Sequence, residues 1–234
     1  MPLFANLFTY DNVGLISASL VTLSTLGIGL QLKKIIDRRK AFVHDRSTEK
    51  ATQGLSLIRF STSFSAFFAV FLYGLTLQKF NHYLVWPRVL ALLLVLSIVY
   101  QIWRDRKDRL SLAAFLAGTS LFGVASLMAL TQYRIAVHST GLPHLLLLAS
   151  LVLLMHGGGA QIMEIRRTRR TGALSLPMHQ LFFVKDASSI LFALTMGFQD
   201  GWPVFVMSSF SIGLQLTTMW HFRWVRKLPA HLDM

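Results

Sequence analysis

Apolar residues in this chain run in long blocks and do not alternate with polar ones. A helix needs about 20 mostly apolar residues to cross a membrane, and seven blocks reach that length. They cover residues 13–32, 57–77, 84–103, 110–132, 142–163, 176–198 and 202–222. Polar residues gather between them. The third and fourth blocks are parted by Arg104-Asp105-Arg106-Lys107-Asp108-Arg109, the sixth and seventh by Gln199-Asp200-Gly201. Pro203 then falls in the first turn of the last predicted helix, where a missing N–H costs nothing. The pattern predicts an all-α, polytopic membrane protein of seven transmembrane helices.

Composition agrees with that reading. Of 234 residues 53% are hydrophobic and only 14% charged, against about 25% charged in soluble domains. The net charge of +13 raises nucleic acid as a partner, but binding it requires a basic face free to reach phosphates. Here the basic residues form short clusters between apolar blocks, as in the cytoplasmic loops of membrane proteins. No nucleic-acid partner is expected; membrane lipids are, with homo-oligomerisation left open. The absence of Cys removes disulfides and thiol chemistry.

The basic clusters also predict orientation. All but four of the 23 Lys and Arg follow the first, third, fifth and seventh blocks; the four are Lys79, Arg88, Arg134 and Lys185. The positive side is cytoplasmic, so the N-terminus lies outside and the C-terminus inside. The N-terminal stretch lacks a basic region, so no cleaved signal is expected and the first block serves as its own insertion signal. The short tail and the lack of any Asn-x-Ser/Thr site point to a bacterial inner membrane.

Two segments of the chain are alike. Residues 160–177 read A-Q-I-M-E-I-R-R-T-R-R-T-G-A-L-S-L-P; residues 30–40 read L-Q-L-K-K-I-I-D-R-R-K, followed at 52–57 by T-Q-G-L-S-L. Each has Gln and an aliphatic residue, a basic cluster, then Gly-Leu-Ser or Gly-Ala-Leu-Ser. They follow the first and fifth blocks, so blocks 1–3 and 5–7 form two copies. Three spans reverse the chain, and one more is needed before a second copy can repeat the first in parallel. The expected arrangement is 3+1+3: a first three-helix bundle over 1–109, a linker helix over 110–134, and a second bundle with a cytoplasmic tail over 135–234.

With these residues in place, the chain resembles the PQ-loop/SWEET superfamily of seven-helix membrane proteins, over most of its length. Gln161-Ile162, Arg166 to Gly172 and Leu174-Ser175-Leu176 match the family motif, and Gln31-Leu32 with Gly54-Leu55-Ser56 match it with a longer turn. The motif's proline is Leu30 in the first copy and Ala160 in the second. Gly157, Gly158 and Gly159 are candidates to replace it as a hinge, since Gly weakens a helix by about 1 kcal/mol each. The resemblance implies a transporter that moves a small polar solute, a sugar, amino acid or similar metabolite, through a cavity between the bundles. The alternative on the same fold is a non-transporting receptor or assembly factor.

The candidate site residues come from polar groups inside the apolar blocks. Asp186 lies about ten residues into the sixth block, where an ionisable group is costly and functional by default. It shares a helical face with His179, Phe182, Phe183, Ser189, Ile190 and Ala193. It is the candidate proton or cation site. Lys185 is adjacent, and neighbours in a helix diverge by about 100°, so no Lys185–Asp186 pair is expected. His156, before the glycine triplet, is the second proton-relay candidate. Ser97 and Gln101 in the third block, and Ser211 and Gln215 in the seventh, stand four apart; with Ser208 and Asp186 they are substrate-binding candidates. The Asn pair that contacts sugar in SWEET transporters has no counterpart there. No catalytic motif, metal-ligand spacing or phosphate loop occurs, so no enzyme activity, metal or cofactor is expected.

Overall fold

The computed structural model describes residues 9–45, 51–52, 55–169 and 176–226. Among them are eight helices: α1 (Tyr10–Asp45), α2 (Leu57–Thr76), α3 (His82–Arg106), α4 (Arg109–Met128), α5 (Tyr133–Ser139), α6 (Leu142–Thr168), α7 (Leu176–Thr195) and α8 (Phe198–Arg226). The described residues contain no strand. Seven of the helices take the places of the seven apolar blocks. Five, α1 to α4 and α6, are long and apolar enough to cross a membrane by themselves. The other two, α7 and α8, are long enough but carry more polar side chains.

Element ends differ from the apolar blocks where helix formers continue past them. Residues 33–40 are mostly Lys, Arg and Ile, which favour helix or tolerate it, so α1 runs to Asp45. Helix α4 ends at Met128, short of the end of the fourth block at 132, and the connection after it holds the short helix α5. Between α7 and α8 the turn falls earlier than predicted. Gly197 adopts φ +82°, the left-handed conformation that ends many helices, and Gln199-Asp200-Gly201 already belongs to α8. Pro203 therefore lies in the second turn, not the first, and offers no N–H to the carbonyl of Gln199.

By packing, the chain divides into two compact units, one of Val21–Ser150 and one of Met1–Leu20 with Leu151–Met234. In the first, Phe64, Phe68, Phe71 and Leu75 of α2 pack with Leu92, Val95, Val99 and Ile102 of α3. The rings of Phe68, Phe71 and the α4 residue Phe122 follow one another at 6.2 and 5.5 Å. Gly74 permits the close approach of α2 to α3, since a Cβ there would stand 2.6 Å from that of Leu84.

Polar side chains pin both ends of this unit. At one end Asp105 accepts from the Arg39 guanidinium at 2.6 Å and from the Thr52 N–H at 2.8 Å, and Arg106 donates to the carbonyl of Leu55 at 2.6 Å. The end of α3 thus holds the connection from α1 to α2. Ser56 then caps α2, its hydroxyl accepting the N–H of Arg59 at 3.3 Å, so the Ser of the first motif copy is a helix N-cap. At the other end Arg134 of α5 donates to the carbonyls of Leu75, Leu77 and Gln78, the Leu77 bond being 2.7 Å. Carbonyls at a helix C-terminus lack intrahelical partners and attract a cation. Asp108 caps α4: chiefly the hydroxyl of Ser111, and also its N–H, holds this carboxyl below its ordinary range. The cap is therefore intact at neutral pH. Its contribution fades as pH drops below about 3.9, the ordinary Asp value, and is gone below the lowered one.

Removing Asp105 leaves Arg39 and the Thr52 N–H without their acceptor. The Arg39 side chain is 22% exposed and that of Asp105 9%, so the penalty is smaller than for a fully buried pair. Asp105→Ala is expected to cost about 2 kcal/mol, read as a lowered midpoint of thermal unfolding in detergent. An unchanged midpoint would show the pin to be dispensable.

The second unit is built on the α7–α8 hairpin. Phe192 and Ala193 of α7 and Val204 and Phe222 of α8 are buried. The start of α1 joins them: the rings of Tyr10 and Phe192 lie 5.3 Å apart, and the hydroxyls of Ser17 and Ser189 meet at 3.3 Å. Gly158 of α6 faces Leu214 of α8, whose Cδ1 would stand 2.7 Å from an added Cβ, while Gly157 and Gly159 have nothing within 4 Å. The helix α6 continues unbroken through all three.

Candidate functional site

A stripe of polar residues runs down α8. Ser208, Ser211, Gln215 and Thr218 are spaced by 3, 4 and 3, the interval that stacks side chains on one helical face. On α7 the same rule aligns His179, Asp186 and Ser189. The hairpin brings the two stripes together.

Asp186 is the centre of this arrangement, with 3% of its surface exposed. Its Oδ2 accepts from the hydroxyl of Ser211 at 2.6 Å. Its Oδ1 accepts from the ammonium of Lys185. This pair corrects the expectation from helix geometry. The Cβ atoms of adjacent residues do diverge, but the four-carbon stem of Lys is long enough to fold back, and a buried carboxylate rewards it strongly. The hydroxyls of Ser188 and Ser189 both donate to the carbonyl of Lys185, at 2.6 and 3.0 Å. That crowding of donors on one turn holds the backbone beneath the pair.

Two turns back along α7, the Nδ1–H of His179 donates to Oε1 of Gln215 at 2.5 Å, and the ring of Phe222 lies edge-on to the imidazole at 5.9 Å. Further along α8, Nδ1–H of His221 donates to the carbonyl of Thr217 at 2.7 Å while Nε2 accepts from Nε–H of Arg166 at 2.9 Å. The first Arg of the second motif copy is thereby tied to α8. His221 is 1% exposed.

The structure brings together three of the residues singled out from the sequence: Asp186 with Ser211, and Gln215 on the same stripe. Ser208 lies on that stripe, buried, one turn before Ser211. Ser97 and Gln101 belong to the other compact unit. Ser97 donates to the carbonyl of Leu93 in its own helix, at 2.7 Å, and Oε1 of Gln101 is buried without a hydrogen-bond partner among the described residues. Gln31 and Gln161 are half-buried on α1 and α6, and His156 is exposed on α6. Gly54 of the first motif copy, and Arg170, Thr171, Gly172, Leu174 and Ser175 of the second, lie outside the described residues.

Sequence reasoning did not assign roles to Ser17, His179, His221 or Asp105. The 3-and-4 spacing on α8 and the shared face of His179 and Asp186 carried part of the signal. Nothing local marked Ser17 or Asp105.

No family model matches the chain, and no curated protein matches it. Among solved structures, the structure of a eukaryotic SWEET transporter matches with a TM-score of 0.66 at 12% identity, covering 94% of this chain and 99% of that one. At this identity the likeness is one of fold: the chain is an all-α integral membrane protein with a SWEET-like arrangement of its helices.

Proposed function

We propose that this protein is a transporter of a small polar solute, of the PQ-loop/SWEET kind, and that the polar residues shared by α7 and α8 contact the solute. One observation carries the reading: a buried carboxylate, Asp186, sits in the middle of a helix of a SWEET-like membrane fold, bonded to Ser211 of the next helix. Such a group is expensive in a membrane and faces the protein interior or water when retained. Asp186 is then the group through which a proton or cation would couple to solute movement, with His156 second. Gln31 and Gln161 with the Gly157–Gly159 segment are the proposed motif and hinge positions. The proposed setting is a bacterial inner membrane, N-terminus outside and C-terminus cytoplasmic.

Two experiments test this. Reporter fusions at residues 45 and 108 are expected to read cytoplasmic, and at residue 138 external; a cytoplasmic reading at 138 would overturn the orientation. Purified protein in proteoliposomes is expected to take up a solute from a mixed metabolite panel, with uptake abolished by Gln161→Ala. A receptor or assembly factor on the same fold is favoured instead by two departures, the absence of both motif prolines at Leu30 and Ala160 and the absence of the sugar-contacting Asn pair. Its sign would be binding of a peptide or protein with no flux.

A further inference from the structure

We propose that Asp186 is the seat for a primary ammonium group of the solute, and that Lys185 occupies that seat when the solute is absent. This rests on the reading of the α7–α8 stripe as the solute site and adds the chemical class of the ligand.

The argument starts from the two oxygens of one carboxylate. Oδ2 is held by the Ser211 hydroxyl, from the facing helix. Oδ1 is held by an ammonium that belongs to the next residue in the same helix. A neutral hydroxyl on Oδ2 orients the carboxylate and leaves its charge uncompensated. The ammonium on Oδ1 supplies the compensation. Any group that replaces it must do the same, because an unpaired buried carboxylate is far costlier than a paired one. A sugar hydroxyl brings no charge. A primary ammonium brings the same charge, the same size and the same three donors as Lys185.

The tether explains why exchange is feasible. The Lys185 and Asp186 side chains leave the helix about 100° apart, so the pair forms only while the Lys stem is folded back. The Lys185 side chain is 22% exposed and that of Asp186 5%. The ammonium is the less enclosed partner and can move off along the water-filled path that the transport reading places beside this site, while the carboxylate stays inside. A permanent structural pair gains nothing from this asymmetry. A removable internal counter-ion requires it: the site never holds a bare charge, and the ligand meets a carboxylate already oriented by Ser211. The neutral amide of Gln215, hydrogen-bonded to His179 one turn from Ser211, offers polar contacts to the rest of an amine-bearing metabolite.

The test uses the whole protein in detergent and in proteoliposomes. Binding of n-butylammonium chloride is measured by calorimetry, with n-butanol as the uncharged control, and uptake is measured with labelled ethanolamine and labelled glucose. The wild type is expected to bind n-butylammonium but not n-butanol, and to take up ethanolamine in competition with n-butylammonium. Lys185→Gln removes the internal competitor. If Lys185 holds the seat about nine-tenths of the time, affinity for n-butylammonium rises about tenfold. Asp186→Asn is expected to abolish ammonium binding. Lys185→Met is the second variant should Lys185→Gln fold poorly, and the wild-type comparison of n-butylammonium with n-butanol decides if neither folds. Glucose uptake unchanged by excess n-butylammonium would overturn the ammonium seat and leave transport standing. Ammonium binding without flux of either solute would leave the seat standing and overturn transport. Absence of both would overturn both.

Discussion

Asp186→Asn is expected to leave the protein folded and inserted while lowering solute uptake by ten- to a hundredfold. The substitution keeps the shape and keeps an oxygen that accepts from Ser211, whose bond to Asp186 is 2.6 Å. What disappears is the charge. A hydrogen bond to a charged group contributes about 1.5–3 kcal/mol, and every 1.4 kcal/mol is about a factor of ten in affinity. The lost ion pair leaves Lys185 with a side chain that is 22% exposed and not fully buried, so the loss costs less than stranding a buried ammonium. Any pH dependence of uptake that arises at this carboxyl should vanish in the same variant. The measurement is initial uptake rate across a pH series, beside gel filtration and thermal unfolding of the same preparation. If Asp186→Asn fails to fold while the residual fraction keeps its pH dependence, Asp186 is a structural residue and His156 becomes the next candidate.

Gly201→Ala is expected to prevent tight closure of the α7–α8 hairpin, at a cost of about 3 kcal/mol. A Cβ on residue 201 would overlap the carbonyl oxygen of Ala193 and lie 2.9 Å from its carbon. The obstacle is backbone, which cannot rotate aside as a side chain can. Both residues are buried, and the stripes that carry Asp186, Ser211, His179 and Gln215 meet across the same hairpin. The expected results are a sharply lower unfolding midpoint and a lower yield of monodisperse protein. Gly157→Ala is the contrast. Nothing lies within 4 Å of its added Cβ, and Ala is the better helix former by up to about 1 kcal/mol. That variant should be as stable as the wild type or more so, and a fall in its uptake would then report a hinge and not a packing defect. Wild-type stability of Gly201→Ala would show that the hairpin is looser than its contacts imply.

The sequence determined this protein's helices almost completely. The block length that crosses a membrane is a local property, so each span could be read without its neighbours, and the gathering of Lys and Arg between blocks marked their ends. Asp186 was legible for the same reason, as a carboxylate in an apolar block is anomalous wherever it packs. The duplicated Ser and Gln of the third and seventh blocks were legible too, but duplication in sequence did not make their surroundings alike. Gln215 bonds to His179, whereas Gln101 has no partner for its buried oxygen among the described residues.

Only the tertiary structure decided who bonds to whom. Ser17 meets Ser189 across 172 residues of chain, and Arg134 caps a helix whose C-cap residue, Leu77, lies 57 residues before it. Asp105 and Arg39, both counted among loop charges, turn out to be a pin on the first motif connection. Lys185 reaches Asp186 against the rule for adjacent helical positions. The first three share one physical reason. Helix formation is settled by backbone bonds within a few residues, while a buried polar group takes whichever partner the fold brings within reach of a flexible side chain. That partner depends on packing between helices distant in sequence, and no window of local sequence contains it.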